Sequence, residues 1–281
     1  MAYRDYAIRD MIPLIQLKRS QLVTSKLALG LSRLHYLSAP ERQRLLASAA
    51  DVGFRHFDAA RSYGDGLAEL ELGRFLRGQR SRFVIATKYG LPANRLIEKY
   101  PALGQPLRVL RGAAGRLKLR AQGAPILRAP DLAKSIVQSL RALQTDVIDI
   151  FFFHEPSLSR LSRPHDLAAE VERQKQKGSI RFVGLSGTFA STLEVAQAVP
   201  ALADVIQVPE PEWSETGVIP DLTFGAIRPG PQSRFEPSLD PVWAVQQLSA
   251  ALRRRAAGAV VVSTTRADHL ASLAAVAEAN Q

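Results

Sequence analysis

Short apolar runs alternate along the chain with segments in which apolar residues recur at helical spacing. The runs are rich in β-branched and aromatic residues, as buried strands are, and they predict strands at residues 26–31, 55–58, 82–88, 147–154, 180–186, 204–208, 221–227 and 259–264. The intervening segments predict helices at residues 39–53, 67–78, 129–144, 166–178, 189–199, 240–258 and 268–280. We expect Asp131 to cap the third helix, and Asp240, followed by Pro241, to cap the sixth.

Eight strands that alternate with helices, without a break in composition, are typical of a (β/α)8 TIM barrel. We therefore expect a single domain over residues 1–281, with residues 1–25 as an N-terminal extension and 90–130 as a long basic insertion loop after the third barrel strand. A doubly wound open sheet is the alternative. It is less favoured because no G-x-G-x-x-G motif follows the first strand, where GLSRL at 30–34 does not fit one.

Composition limits the class of protein. The 281 residues are 46% hydrophobic and 22% charged, and the absence of cysteine excludes disulfides and thiolate metal sites. The first 26 residues contain no continuous apolar core, so no signal peptide is expected. No run approaches the roughly 20 apolar residues that a membrane span requires. A soluble cytoplasmic protein is the expectation.

The net charge of +11 is concentrated in residues 90–130. Against the single acidic residue Glu98, this segment holds eight basic ones: Arg95, Lys99, Arg108, Arg111, Arg116, Lys118, Arg120 and Arg128. A solvated basic surface and a lid that attracts an anionic cofactor or substrate are both compatible with this pattern. Nucleic-acid binding is not expected, because Tyr100 is the only aromatic residue of the segment and base stacking requires aromatic platforms.

Polar residues stand at the carboxyl ends of the predicted strands, where a barrel of this kind places its active site. Asp58, Lys88 and His154 end three consecutive strands, and Tyr63 lies in the loop after Asp58. Taken singly, these residues have structural interpretations: a strand-end cap, a rim lysine, a core histidine and a surface ring. Together they form a plausible proton-transfer group. An ammonium lowers the pKa of an adjacent tyrosine, and a carboxylate holds the ammonium charged and oriented.

Three motifs around these residues resemble the aldo-keto reductase family. FDAARSYGDGLAELELGRFL (57–76) matches the family's Phe-Asp-x-Ala-x-x-Tyr-Gly pattern followed by Glu and Leu-Gly. IATKYG (85–90) looks like its lysine strand and DIFFFHEP (149–156) like its histidine strand. The resemblance runs from about residue 26 to the C-terminus. It implies a (β/α)8 barrel that reduces aldehydes and ketones with NAD(P)H, without a metal.

The resemblance also implies a role for each of the four catalytic candidates. Tyr63 would be the general acid, and Lys88 the neighbour that lowers its pKa. Asp58 would be the partner of Lys88, and His154 would orient the carbonyl group of the substrate.

On the cofactor side, the resemblance assigns the nicotinamide carboxamide to Ser186 and Gln207. Gly187 stands where an asparagine is common after the serine. Phe224 takes the place of a tyrosine that stacks on the nicotinamide, and a phenyl ring retains the stacking.

The segment STTRADHL (263–270) resembles the part of the family that wraps the adenosine phosphates, so that the implied contacts are Ser263, Thr264, Thr265, Arg266 and His269. Ser263 stands where many members have a lysine. His269 stands where many have the arginine that reads the 2′-phosphate, and Arg266 is close enough to substitute. NADP(H) is therefore favoured over NAD(H).

The sequence thus predicts an NAD(P)(H)-dependent oxidoreductase that interconverts a small-molecule carbonyl compound and an alcohol. The alternative is a catalytically weak barrel that acts as a dinucleotide-binding sensor or partner subunit. Candidates for the wall of the substrate pocket are Tyr89, Trp213, Arg33 and Tyr36.

Overall fold

A closed barrel of eight parallel strands forms the centre of the structure, a computed structural model that describes residues 11–93, 125–213, 218–227, 241–255 and 257–280. The barrel strands are β3 (Leu27–Gly30), β4 (His56–Asp58), β5 (Val84–Tyr89), β6 (Ile148–His154), β7 (Ile180–Ser186), β8 (Val205–Pro209), β9 (Leu222–Phe224) and β10 (Ala259–Val262). They follow one another around the cylinder in chain order, and β10 pairs with both β9 and β3 to close it. The predicted (β/α)8 fold is confirmed.

The described ranges contain seven α-helices, of which the first six lie between barrel strands and the last follows β10: α1 (Ala39–Asp51), α2 (Leu67–Leu76), α3 (Ala129–Leu143), α4 (Pro164–Gln176), α5 (Phe189–Ala198), α6 (Pro241–Arg254) and α7 (Asp268–Glu278). The first shows why the local sequence forms a helix where it does. Ser38 and Glu41 form a capping box at its start, with the Ser38 backbone N–H donating to Glu41 Oε2 at 2.8 Å. This box satisfies backbone donors that a helix start leaves unpaired.

The strands separate two apolar layers. Residues that point outward, such as Phe57, Phe151 and Phe153, pack with the helices in one cluster. Residues that point inward, such as Ile150 and Phe152, form a second cluster inside the barrel. Because side chains alternate along a strand, this arrangement fixes which of the polar residues at each strand end enters the mouth of the barrel.

The amino end of the barrel is associated with a hairpin that the sequence analysis did not predict. β1 (Leu14–Gln16) pairs in antiparallel fashion with β2 (Val23–Ser25). Leu17 and Leu22, in the connection between them, belong to the interior cluster of the barrel. Part of the segment predicted as an N-terminal extension, Leu17 and Leu22, therefore contributes to the core. Strands of three residues are too short for a reliable period-two signal.

Several predicted boundaries differ from the structure. Asp131 was expected to cap α3 and does not: the helix begins at Ala129 after Arg128, and Asp131 lies inside its first turn. There a carboxylate still interacts favourably with the helix dipole. The strand predicted at 221–227 is limited to Leu222–Phe224.

Some predictions fall on residues that the structure does not describe. The cap at Asp240 and most of the basic 90–130 loop lie outside the described residues. Over the described ranges, none of the helices combines the length and the apolar character needed to cross a membrane.

Candidate functional site

Asp58, Lys88 and His154 meet at the carboxyl rim of the barrel. Asp58 is the last residue of β4 and pairs with Ala86, while Lys88 on β5 pairs with Phe152 on β6. Two residues further along β6, His154 ends the strand beside Ser186. This register places the three side chains on neighbouring strands at one end of the cylinder, as predicted from the strand ends.

Lys88 and Asp58 form a buried ion pair. The Lys88 ammonium donates to Asp58 Oδ1, and it donates a second hydrogen bond to the carbonyl oxygen of Ala59 at 3.1 Å. The two side chains are only 2% and 3% exposed. Burial by itself lowers the pKa of Lys88, but Asp58 and Tyr63 oppose it, and the pKa lies above its ordinary value. Lys88 is therefore a fixed cation at neutral pH.

Tyr63 lies against this cation. The Lys88 ammonium nitrogen is 5.3 Å from the centroid of the Tyr63 ring. The backbone N–H of Tyr63 donates to the Ala60 carbonyl at 3.0 Å, in the tight turn that follows β4. Burial raises the pKa of Tyr63, whereas Lys88 lowers it, and the net pKa is above the ordinary value. The effect of Lys88 has the predicted sign, but the effect of burial is larger and keeps Tyr63 protonated.

His154 faces the same tyrosine. The two rings meet edge to face, with centroids 6.0 Å apart and an interplanar angle of 85°. Burial lowers the pKa of His154 to about 3, with the positive charges of Lys88 and Arg160 acting in the same direction and Asp58 opposing them. At neutral pH the imidazole is uncharged, so one ring nitrogen donates a hydrogen bond and the other accepts one.

A hydrogen-bonded chain joins this group to the residues expected at the cofactor. The Ser186 hydroxyl donates to Gln207 Oε1 at 2.6 Å, and Gln207 Nε2 donates to Asp58 Oδ2 at 2.7 Å. Ser186 and Gln207 are 3% and 1% exposed. The second oxygen of Asp58 is thus held by β8, while its first holds Lys88. Gln207 keeps one N–H and Ser186 keeps its oxygen lone pairs for a further partner.

Phe224 adds a flat apolar surface near this polar chain. It is the last residue of β9, pairs with Pro209 at the end of β8 and packs against the interior cluster while remaining half-buried. The partly exposed ring of Phe224 could stack on an aromatic ring of a ligand, and the Ser186 hydroxyl and the Gln207 amide could bind a carboxamide group on that ligand.

The predicted phosphate segment follows β10 on the same rim. Thr264 and Thr265 are half-buried, while Ser263, Arg266 and His269 are exposed. Arg266 forms an ion pair with Asp268, the first residue of α7, through two contacts. The guanidinium that was expected to substitute for the family's arginine therefore already has an acidic partner.

Glu155 is a residue of this rim that the sequence analysis missed. It follows His154 with a backbone φ of +51°, and burial raises the pKa of its carboxyl, with Arg160 opposing and Glu212 adding to the shift. A Cβ at Gly187 would lie 3.3 Å from Glu155 Oε2 and 2.9 Å from Pro156 Cδ. The asparagine common at this position would need these neighbours to move. The acidic residue directly after a strand-end histidine is the signal that could have identified Glu155.

Two of the predicted pocket-wall residues lie elsewhere. Tyr89 alternates with Lys88 and faces the outer layer, where its hydroxyl bonds to the Arg128 backbone. Trp213 is 4% exposed and packs against the outer side of β8, with the guanidinium carbons of Arg254 and Arg255 at 4.6 and 5.0 Å from its ring centroid. For both residues the prediction is wrong: strand alternation turns Tyr89 away from the barrel interior, and Trp213, just after the turn that follows β8, packs on the outer side of that strand.

Arg33 and Tyr36 are the other two pocket-wall candidates. Both are exposed and belong to the turn that follows β3. Their assignment to the substrate pocket stays a prediction.

Comparison of the sequence with known proteins points to a family. The model of the aldo/keto reductase family matches residues 26–209. A Schizosaccharomyces pombe protein named as an NADP(+) aldo-keto reductase is 30% identical over 174 residues, which are 61% of this chain and 44% of that protein. An L-glyceraldehyde 3-phosphate reductase of Escherichia coli is 30% identical over 176 residues, or 60% of this chain and 43% of that one. The match thus spans less than half the length of either relative.

Solved structures share the architecture. An aldo-keto reductase from Bacillus halodurans, in its holo form, superimposes with a TM-score of 0.69 at 19% identity, covering 94% of this chain and 90% of that one. At this identity the likeness concerns the fold alone. The family model carries the assignment, since its match covers well over half of this chain and includes Asp58, Tyr63, Lys88 and His154. The chain belongs to the aldo-keto reductase family.

Proposed function

We propose that the protein is an NADP(H)-dependent oxidoreductase that interconverts an aldehyde or ketone and the corresponding alcohol. One observation carries the proposal: a buried ion pair, Lys88–Asp58, lies against the ring of Tyr63, with His154 edge-on to the same ring. A buried charge is costly unless it is paired. Pairing alone explains Lys88 and Asp58, but it does not explain why a loop tyrosine and a strand-end histidine converge on them.

In this proposal Tyr63 is the proton donor in the direction of reduction. Its raised pKa keeps the hydroxyl protonated, and an alkoxide that forms on the substrate is a stronger base than a phenolate, so the proton passes to it. The fixed charge of Lys88 stabilises the phenolate that remains. In the direction of oxidation the phenolate takes the proton back.

His154 positions the carbonyl group. Because its imidazole is uncharged, one ring N–H can donate a hydrogen bond to the carbonyl oxygen while the proton stays on the imidazole. A neutral donor aimed at the oxygen that gains charge stabilises the transition state more than the ground state.

Several residues fit the dinucleotide. Ser186 and Gln207 would bind the carboxamide through the lone pairs and the N–H that their mutual bond leaves available, and Phe224 would stack on the nicotinamide. The chemistry that NADP(H) supplies when bound is hydride exchange with the carbonyl carbon. Thr264, Thr265 and Arg266 would hold the phosphates ahead of α7. The preference for NADP(H) is supported by the name of the Schizosaccharomyces pombe relative, and Arg266 would bind a 2′-phosphate by exchanging its present partner Asp268 for it.

A single substitution tests the proposal. We expect Tyr63→Phe to lower kcat for aldehyde reduction by about 10²- to 10⁴-fold, because it removes the proton donor and leaves the cofactor contacts in place. Binding of NADPH, measured by fluorescence titration, should be unchanged. Tyr89→Phe is the matched control, since Tyr89 lies at the same end of the barrel but its side chain faces outward.

The outcomes separate the proposal from a binding role. Tight binding of NADPH with no turnover of any aldehyde or ketone in a broad panel would favour the dinucleotide sensor. Turnover that is equal in Tyr63→Phe and the unsubstituted protein would overturn the assignment of Tyr63. A parallel titration with NADH tests the cofactor preference, with weaker binding of NADH expected.

A further inference from the structure

Two arginines tie the same pair of strands at opposite ends. At the amino end, Arg80 donates to the carbonyl oxygens of Phe83 and Val147, at 2.7 and 2.9 Å. Phe83 directly precedes β5 and Val147 directly precedes β6. At the carboxyl end, Arg160 donates to the carbonyl oxygen of Gly90 at 2.5 Å, directly after β5, and to that of His154 at 3.2 Å, the last residue of β6.

The guanidinium of Arg160 also binds backbone carbonyls in the loops that follow these strands. It donates to the carbonyl oxygen of Glu155 and, through Nε, to that of Pro125 at 3.1 Å. All four of the acceptors named above are backbone carbonyl oxygens. Arg160 is 8% exposed. A buried guanidinium whose donors are spread over four carbonyls fixes backbone positions, since its planar fork sets the direction of each bond.

The surrounding backbone is adapted to this guanidinium. Gly90 has φ of +127°, and a Cβ there would lie 2.9 Å from the His154 carbonyl oxygen and 3.4 Å from Arg160 Nη2. Glycine is thus needed both for the conformation and for the close approach. Glu155 adopts φ of +51°, and its N–H donates to the Ser186 carbonyl at 2.7 Å.

We propose that Arg160 is a positioning residue for His154 and Lys88. By holding the carbonyls of Gly90, His154 and Glu155 it sets the spacing between the ends of the strands that carry the two side chains, and so the distance of each from Tyr63. This inference rests on the proposed function for its kinetic consequence, but not for its structural one.

The first test compares Arg160→Lys with Arg80→Lys. A lysine keeps the charge but cannot reproduce the fork, so the strand ends lose their common anchor. We expect kcat of Arg160→Lys to fall by about 10- to 100-fold, as small misplacements of catalytic groups do, while NADPH affinity stays within about twofold. Arg80→Lys disturbs the same strands at the far end and should lower the unfolding temperature with kcat within about twofold. Equal losses of kcat in both variants, or full kcat in Arg160→Lys, would overturn the inference.

A second readout does not depend on activity. With ¹⁵N-labelled histidine, we expect the ring signals of His154 to shift in Arg160→Lys and to stay unchanged in Arg80→Lys. If His154 is unchanged in both, Arg160 does not position it. A protein that reduces no carbonyl compound, yet shows the His154 shift, would contradict the proposed function and leave the positioning role supported.

Chemical rescue gives a third measurement. Millimolar guanidinium should restore part of the kcat of Arg160→Ala by occupying the vacated site, with no effect on Tyr63→Phe. Should Arg160→Ala fail to fold, the comparison of the two lysine variants decides the question.

Discussion

Among the described residues, one buried lysine lies at each end of the barrel, and the surroundings shift the pKa values of the two in opposite directions. Lys26, just before β3, and Lys88, near the end of β5, are both 4% exposed. Lys26 donates to the carbonyl oxygen of Arg255, and burial together with the charge of Arg255 lowers its pKa to about 8. Lys88 donates to Asp58, and its pKa is raised. Both ends of the barrel therefore bury a lysine, and the groups beside each lysine determine whether its pKa is lowered or raised.

Two inward-facing histidines extend the comparison. His56 is fully buried, with Nδ1 bonded to Thr24 Oγ1 at 3.1 Å, and burial lowers its pKa to about 4. His154 has a pKa lowered to about 3 by the same cause, yet it is only half-buried and faces Tyr63. A strongly shifted pKa alone does not mark an active site. Access to the mouth and a titratable neighbour distinguish the carboxyl end.

Substitution of the two lysines gives the strongest test of the contrast between the two ends of the barrel. We expect Lys88→Met to lower kcat by about 10²- to 10³-fold, because the developing phenolate of Tyr63 loses its cation. Lys26→Met should keep kcat within about twofold, since Lys26 contacts backbone at the opposite end. Steady-state kinetics, corrected for the folded fraction from circular dichroism, measure the difference. Comparable losses in the two variants would mean that the contrast between the ends has no catalytic meaning.

Because the pKa values of His56 and His154 are low in the folded protein, we expect the free energy of unfolding to depend on pH. The folded-state pKa of His56, about 4, lies below the ordinary value of 6.5, so the unfolded chain binds the proton more readily. Stability is complete above about pH 6.5 and falls by about 3 kcal/mol as the pH drops to about 4. His154 adds a loss of the same sign.

Urea unfolding of variants at about pH 7 and about pH 4 measures this loss. In His56→Gln the decline with pH should be shallower by about 3 kcal/mol. His165→Gln, at an exposed position on α4, should retain the full decline. An unchanged decline in His56→Gln would show that folding does not lower the pKa of His56.

Glu155 gives the smallest expected effect. Its carboxylate raises the pKa of Tyr63 slightly and lies at the rim, where it would repel an anionic substrate. Glu155→Gln should raise kcat/KM for a negatively charged aldehyde by up to about fivefold, the effect of an exposed charge worth at most about 1 kcal/mol. A neutral aldehyde of similar size should show no change. Glu172→Gln, exposed on α4, is the control, and equal gains in both variants would point to net charge alone.

Much of the candidate site could be predicted from the sequence. The apolar runs that end at Asp58, Lys88 and His154 gave the strand ends, and parallel strands in a barrel bring those ends to one rim. The inward direction of Lys88 follows from alternation, although Tyr89 was wrongly placed by neglecting it. The hairpin of β1 and β2 was missed because three-residue strands carry almost no pattern.

Other features depend on contacts between residues far apart in the chain. The bond from Gln207 to Asp58 spans 149 positions and that from Arg160 to Gly90 spans 70, and no local pattern indicates either partner. The pKa of Tyr63 is likewise a balance between burial and the charge of Lys88. The sequence by itself determined which residue types stand at the strand ends, because hydrophobic periodicity is local. The tertiary structure decided how they are paired, buried and held, because desolvation and Coulomb energy depend on distances that only the closed barrel sets.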